Sequence, residues 1–476
     1  MGSTPVIDRP ADAPVDGPGR GEAPPSPAGP AQQESALRLP PPVTLAPTLQ
    51  RLRFTRRQIQ FVFRARRELG ETFQMQAGNG SEPFTVTSHP DHVKSLFTAK
   101  PEHVPSLTAE SPLRPIVGPN SVLTANGPRH MRQRKLLLPP FHGEAIERYT
   151  EMIREVTERA IESWPIGRPF ALAPRMQSIT LEVIMSGIFG IDGSPARGSA
   201  EHRLRAMIKG LTTVSTSMLA QIDELTGRGG SENPSPLDRL GVALLDRATY
   251  PLITKRRRAE DLADRDDILS LLLSARTEEG ELLSDKELRD ELLTLVLAGF
   301  ETTANSLAWT WERLTRTPAV YERLREAVRS DDRAAEQVEA TILEGMRSRP
   351  VIPFIGRRVT VPWQLGEYVV PADTPVGISI LLVHHREDVY PDPFAFRPER
   401  WLDRKPGTYD WIPFGGGTRR CLGAALAMAE QRVVLDAMLR RLDIEADAPA
   451  PEHALHRNVT MIPARGARVL IRARRP

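Results

Sequence analysis

The longest periodic stretch of the chain lies between residues 284 and 317. Ser284 and Glu287 form a capping box at its start, and Pro318 closes its far end. At ~1.5 Å per residue such a helix spans roughly 45–50 Å, the width of a whole domain. From Leu292 to Ala308 it is apolar on nearly every face, so it is predicted to be a buried central helix. Apolar residues at helical spacing also predict helices over 90–98, 143–164, 178–190 and 201–225, and over 422–442 through Leu422, Leu426, Ala429, Val433, Leu435, Met438 and Leu442. Another helix stops before Pro350. Alternation at 84–88, 358–361, 367–370 and 376–381 predicts short strands. The expected fold class is mainly α with a small β region, in a single large domain over residues 41–476. Residues 1–40, rich in Pro, Ala, Gly and Ser, are read as a disordered tail.

Composition narrows this picture only modestly. No run of about 20 apolar residues is present, so no membrane anchor is expected. The net charge is +3, with arginine clusters at 51–57, 129–135 and 255–258. These are dispersed and lack any recognition motif, so no nucleic-acid partner is expected. A single cysteine among 476 residues excludes an internal disulfide and suits a cytoplasmic protein.

That cysteine carries the chemistry. Cys421 lies in Phe414-Gly-Gly-Gly-Thr-Arg-Arg-Cys-Leu-Gly423, where glycines allow a tight curl beside the sulfur. It sits at the predicted start of a helix, where the macrodipole favours a thiolate, and Arg419 and Arg420 add positive charge. The histidines show no paired zinc spacing with it. Within the central helix, Ala298-Gly-Phe-Glu-Thr-Thr303 places a costly glycine and an acid in apolar surroundings. Thr302 is able to back-bond to the preceding turn and open the helix locally.

Phe414, Gly417, Arg419, Cys421 and Gly423 together resemble the cysteine-ligand loop of the cytochrome P-450 superfamily, and the resemblance runs from about Pro40 to the C-terminus. It implies a haem b cofactor with Cys421 as axial iron ligand and Arg419 on a haem propionate. Glu301 and Thr302 match the acid–alcohol pair that delivers protons to dioxygen. His130 and Arg134, at i and i+4, match further propionate partners, and so does Arg357, preferred to Arg358 by its offset from Gly366. Glu344 and Arg347 share a helix face and, with Arg400, match a structural triad behind the cysteine loop. His384-His385 is read as an ordinary turn.

The implied activity is a monooxygenase, a monomer that inserts one oxygen atom into a hydrophobic small molecule by hydroxylation or epoxidation. The chain carries no flavin or iron–sulfur motif, so its electrons are expected from a ferredoxin or flavodoxin with its reductase. Arg132, Lys135 and Arg420 offer a basic docking face for such a partner. Pocket walls are expected at 106–126, 193–236 and 295–303. Leu136-Leu-Leu-Pro-Pro-Phe-His142 resembles relatives of lipid hydroxylases, which tilts the substrate toward a lipid or terpenoid. Two other functions share the cysteine loop: a peroxide-using haem-thiolate enzyme, and a haem sensor or carrier. The Glu301–Thr302 pair argues against both.

Overall fold

The central helix begins where its capping box requires. Ser284 Oγ accepts from the Glu287 N–H at 3.3 Å, and the Glu287 carboxylate accepts from the Ser284 N–H at 3.0 Å. The helix runs over Asp285–Thr315 and is sheathed by other helices along most of its length. This computed structural model describes residues 37–475 apart from 77–81, 112, 142, 192–194, 216–235, 278–279 and 458. The helices that position the site are α1 (Pro47–Leu69), α2 (Gly127–Leu137), α3 (Ala173–Phe189), α4 (Asp285–Thr315), α5 (Ala334–Ser348) and α6 (Ala424–Arg441).

Close approach explains where α4 touches its neighbours. A Cβ at Gly299 would meet Ile184 Cδ1 of α3 at 2.6 Å, and a Cβ at Gly345 of α5 would collide with Thr310 of α4. The costly glycine inside α4 therefore makes room for a neighbouring helix. Beside it, Thr180 donates to the Phe300 carbonyl at 2.8 Å. Val296, Phe300, Ala304, Leu307 and Trp311 are buried, whereas Ala298 is exposed and Leu295, Gly299 and Thr302 are half-buried. One face of an otherwise buried helix is thus open.

The β region pairs strands that lie far apart in the chain. β1 (Thr72–Met75), β2 (Phe84–Thr87), β3 (Phe354–Val359) and β4 (Thr374–Ser379) form one sheet in the order β1-β2-β4-β3. The β2–β4 pairing is parallel and the other two are antiparallel. A separate hairpin joins β5 (Ala454–Arg457) to β6 (Thr460–Pro463). Helix α1, which the sequence reading omitted, packs on this hairpin, with Gln58 bonded to His456 Nδ1 at 3.2 Å.

Several boundaries move. The strand expected at 358–361 begins at Phe354, and the one expected at 376–381 gives way to a helical turn at Ile380–Val383. The helix expected from residue 178 starts at Ala173, with Pro174 in its first turn. Of the proposed tail, residues 1–36 lie outside the described residues, while Arg38 already exchanges backbone bonds with Glu367 and Val369. Among the described residues no helix is long and apolar enough to cross a membrane.

Candidate active site

The cysteine loop is folded by its own backbone before any side chain contributes. Gly415 N–H donates to Ile412 O at 3.0 Å, and Cys421 N–H donates back to Phe414 O at 2.9 Å. Gly415 and Gly417 have φ of 69° and 63°, the left-handed region that favours glycine. A Cβ on Gly416 would strike the Phe97 ring, and one on Gly417 would strike the Phe97 carbonyl. Gly423, by contrast, has ordinary φ and no protein atom within 4 Å of a Cβ. Phe414 packs edge-on against Trp411 at 6.1 Å.

Cys421 is accessible, yet burial pushes its thiol up. The Gly423 N–H and the charges of Arg134 and Arg420 pull the other way and lose. The helix dipole was expected to lower this thiol. However, α6 starts only at Ala424, and desolvation outweighs what the Gly423 N–H and the two arginines supply. A metal bound at the sulfur removes that penalty by supplying positive charge directly.

Beside the loop lies a cradle rich in cations. One pocket is lined by Phe97, Asn126, His130, Arg357, Thr418 and Arg419, among others. Arg357 and Arg358 are neighbours on β3 and point to opposite faces. Arg358 pairs with Glu82 and Glu110, both at 2.9 Å. Arg357 is buried and, among the described residues, its side chain donates only to the adjacent Gly356 carbonyl, and burial alone pushes it down to about 10. Arg419 donates to the carbonyls of Val122, Leu123 and Ala125 and to Asn126 Oδ1. Burial, then the charges of Arg357 and Arg134, push it to about 10 as well. Among the described residues no carboxylate pairs with Arg134, Arg357 or Arg419. Buried guanidiniums without carboxylates fit a dianionic ligand such as the propionates of haem.

His130 Nδ1 lies 2.9 Å from Val122 O and its Nε2 lies 3.2 Å from Thr418 O. Burial and then Arg419 keep this ring below its usual range, hence neutral, so only one carbonyl receives a proton. Arg134 is not in the pocket lining. It donates to Arg420 O at 2.6 Å, and its charge acts on Cys421.

On the open face of α4, Thr302 Oγ1 donates to Ala298 O at 2.8 Å, the back-bond expected from its position. Glu301 departs from expectation: its surroundings are not apolar. Arg457, at the end of β5, forms an ion pair with its carboxylate, and Thr460 Oγ1 lies 3.5 Å from the same oxygen. Sequence reasoning missed Arg457 because a hairpin more than 150 residues downstream brings it to α4.

Glu344, Arg347 and Arg400 do meet. Arg347 grips Glu344 with two bonds of 2.7 and 2.8 Å, and Arg400 Nε reaches it at 3.2 Å. Both Glu344 and Arg347 are fully buried. Arg347 also donates to the carbonyls of His384, Pro393 and Ala395, while Glu344 accepts from the Arg397 N–H and from Trp401 Nε1. Trp401 meets Trp411 edge-to-face at 6.2 Å, and Trp411 in turn touches Phe414. The triad is thereby braced against the cysteine loop. His384-His385 does form a turn, directly after Ile380–Val383, but both rings are buried, and His384 Nε2 accepts from Ile412 N–H at 2.8 Å. Among the described residues no cluster of His, Cys, Asp and Glu could hold a metal ion.

The proposed docking face is partly occupied internally. Arg132 lies 3.5 Å from Glu287, and the Arg420 carbonyl holds Arg134. Of the expected pocket walls, 106–126 contains short helical turns at Leu107–Glu110 and Arg114–Val117, whereas most of 216–236 lies outside the described residues.

Known proteins resemble this chain over nearly its whole length. The family model for cytochrome P450 matches residues 37–471. Cytochrome P450 138 of Mycobacterium tuberculosis is 38% identical over 441 residues, covering 92% of this chain and 97% of that protein. Cytochrome P450 135B1 of the same organism is 35% identical over 448 residues, covering 93% of each. The solved structure of retinoic acid-bound cyanobacterial CYP120A1 superposes with a TM-score of 0.75 at 22% identity, covering 92% of this chain and all of that one.

Proposed function

Because the chain belongs to the cytochrome P450 family, it is a haem-thiolate monooxygenase, and we propose that it uses dioxygen and two partner-supplied electrons to oxidise a hydrophobic small molecule. The observation that carries this reading is the Glu301–Thr302 pair on the one open face of a buried helix. Haem, held through Cys421, supplies dioxygen activation and electron transfer. The protein's residues do the rest. Arg357, Arg419 and His130 would hold the propionates. Thr302, its hydroxyl oriented by Ala298 O, presents an oxygen that accepts one proton and passes on another. Glu301 resupplies that proton and exchanges with solvent past Arg457. Ala298, Gly299 and Leu295 line the adjoining surface.

Arg134 and Arg420 favour the thiolate from the side of the loop. A ferredoxin or flavodoxin, acidic by complementarity, delivers the electrons near Arg132, Lys135 and Arg420. The substrate class is a lipid or terpenoid, supported by the apolar side chains of 295–300 and by an isoprenoid acid in the related CYP120A1 structure. The test is NADH consumption with a surrogate ferredoxin and reductase, compared with peroxide alone, in the presence of compounds that shift the haem spin state. Partner-driven turnover that T302A uncouples supports the reading. Turnover with peroxide only, indifferent to T302A, would replace it with the peroxide-using alternative.

A further inference from the structure

One buried acid stands outside the chemistry described so far. Glu291 lies on α4, is fully buried, and is ten residues from Glu301. Its Oε1 accepts from the Val122 N–H at 2.9 Å, while its Oε2 has no hydrogen-bond partner among the described residues. Val122 is no ordinary loop residue. Its carbonyl faces His130 Nδ1 at 2.9 Å and accepts from Arg419 Nη1 at 3.3 Å. One residue, through the two peptide groups that flank its Cα, therefore connects Glu291 to two residues of the cationic cradle. Neighbours on α4 fix the same loop. Asp290 accepts from Asn120 N–H at 3.0 Å and from Asn120 Nδ2 at 2.8 Å, and Thr294 Oγ1 donates to Ser121 Oγ at 2.6 Å. A Cβ on Gly118 would collide with the Asp290 carboxylate, so the chain is pressed against this helix edge.

We propose that Glu291 is a positioning residue for the propionate cradle, holding the Val122 peptide in the orientation that His130 and Arg419 require, and that its protonation keeps the loop closed. The proposal rests on the cradle reading above. Burial pushes Glu291 up to about 8 against the hydrogen bond from the Val122 N–H, which favours the charged form; Asp290 and Glu287 of α4 reinforce the rise, and Arg129 of α2 opposes it. A neutral carboxylic acid satisfies this site without a buried charge. When the loop opens, Glu291 meets water and regains an ordinary carboxylate value of about 4.5. Between these values opening releases a proton, so a rise in pH favours the open loop by up to about tenfold per unit.

The test is the rate at which the holoprotein loses haem to excess apomyoglobin, measured between about pH 5 and pH 8. For the wild type the rate should climb at least tenfold across this window. E291Q, a neutral mimic, should lose haem slowly with no such climb. T294V should raise the rate at every pH and keep the climb, because it loosens the loop without removing the titration. A flat wild-type profile overturns the proposal even if E291Q does not accumulate with haem, and so does a climb that persists in E291Q. H130A that retains haem as tightly as wild type would instead overturn the cradle reading itself.

Discussion

Two Glu–Arg pairs flank the predicted haem position, and they are built on opposite principles. Glu344 and Arg347 are fully buried and adjacent on one helix face, and further donors and acceptors from 384–401 surround them. Glu301 and Arg457 come from a helix and a distant hairpin; the arginine is buried, whereas the carboxylate is half-buried. The first pair gives up hydration and is repaid by a dense hydrogen-bond network, so it holds one geometry. The second is bound by a single guanidinium and a distant hydroxyl, which leaves its carboxylate able to exchange partners. Saturation marks a scaffold; incomplete saturation beside an open helix face marks a working group.

Breaking the scaffold should have the largest effect. E344A leaves Arg347 buried without its partner, a loss of about 3–5 kcal/mol, and holoprotein should not accumulate. Measuring haem per polypeptide after purification checks this. Changing the working pair should leave folding intact. E301Q should lower partner-driven turnover by about a hundredfold, as expected for removing a proton donor, while haem content stays at the wild-type level. R457Q sharpens the contrast: its thermal midpoint should fall by only a few degrees, whereas partner-driven turnover should change several-fold because the Glu301 carboxylate loses its ion-pair partner.

Acid should damage the scaffold side first. Burial holds His384 down to about 3, His385 well below its usual range, and His92 to about 4. Their unfolded forms bind protons near 6.5, so the unfolded state takes up more protons as pH falls below that value. Stability should therefore decline from about pH 6.5 toward pH 3, and H384Q should flatten part of that decline in acid-unfolding curves. The smallest effect is expected at the docking face. R132E should slow partner-driven reduction several-fold at low salt and little at high salt, since Glu287 already offsets part of that charge.

The same contrast governs what could be read from sequence. Motifs local in the chain were legible: the capping box of α4, the Thr302 back-bond, the i,i+3 geometry of Glu344 and Arg347, and the glycine loop around Cys421. In each, spacing along one element sets the geometry. Contacts made by topology were not. Arg457 reaches Glu301 through a β-hairpin, Glu291 reaches the cradle through one loop amide, and α1 hides its apolar face among arginines. Gly299 was correctly expected to need space, but the neighbour that needs it, Ile184, belongs to another helix.

The division of labour between the two pairs is tested most directly by the carbon monoxide spectra of reduced E301Q and E344Q recorded side by side. The account predicts a full, strongly red-shifted thiolate Soret band for E301Q and a lost or histidine-like band for E344Q. Equal loss in both variants would make Glu301 part of the scaffold, and an intact band in E344Q would show that the buried pair does not support the cysteine loop.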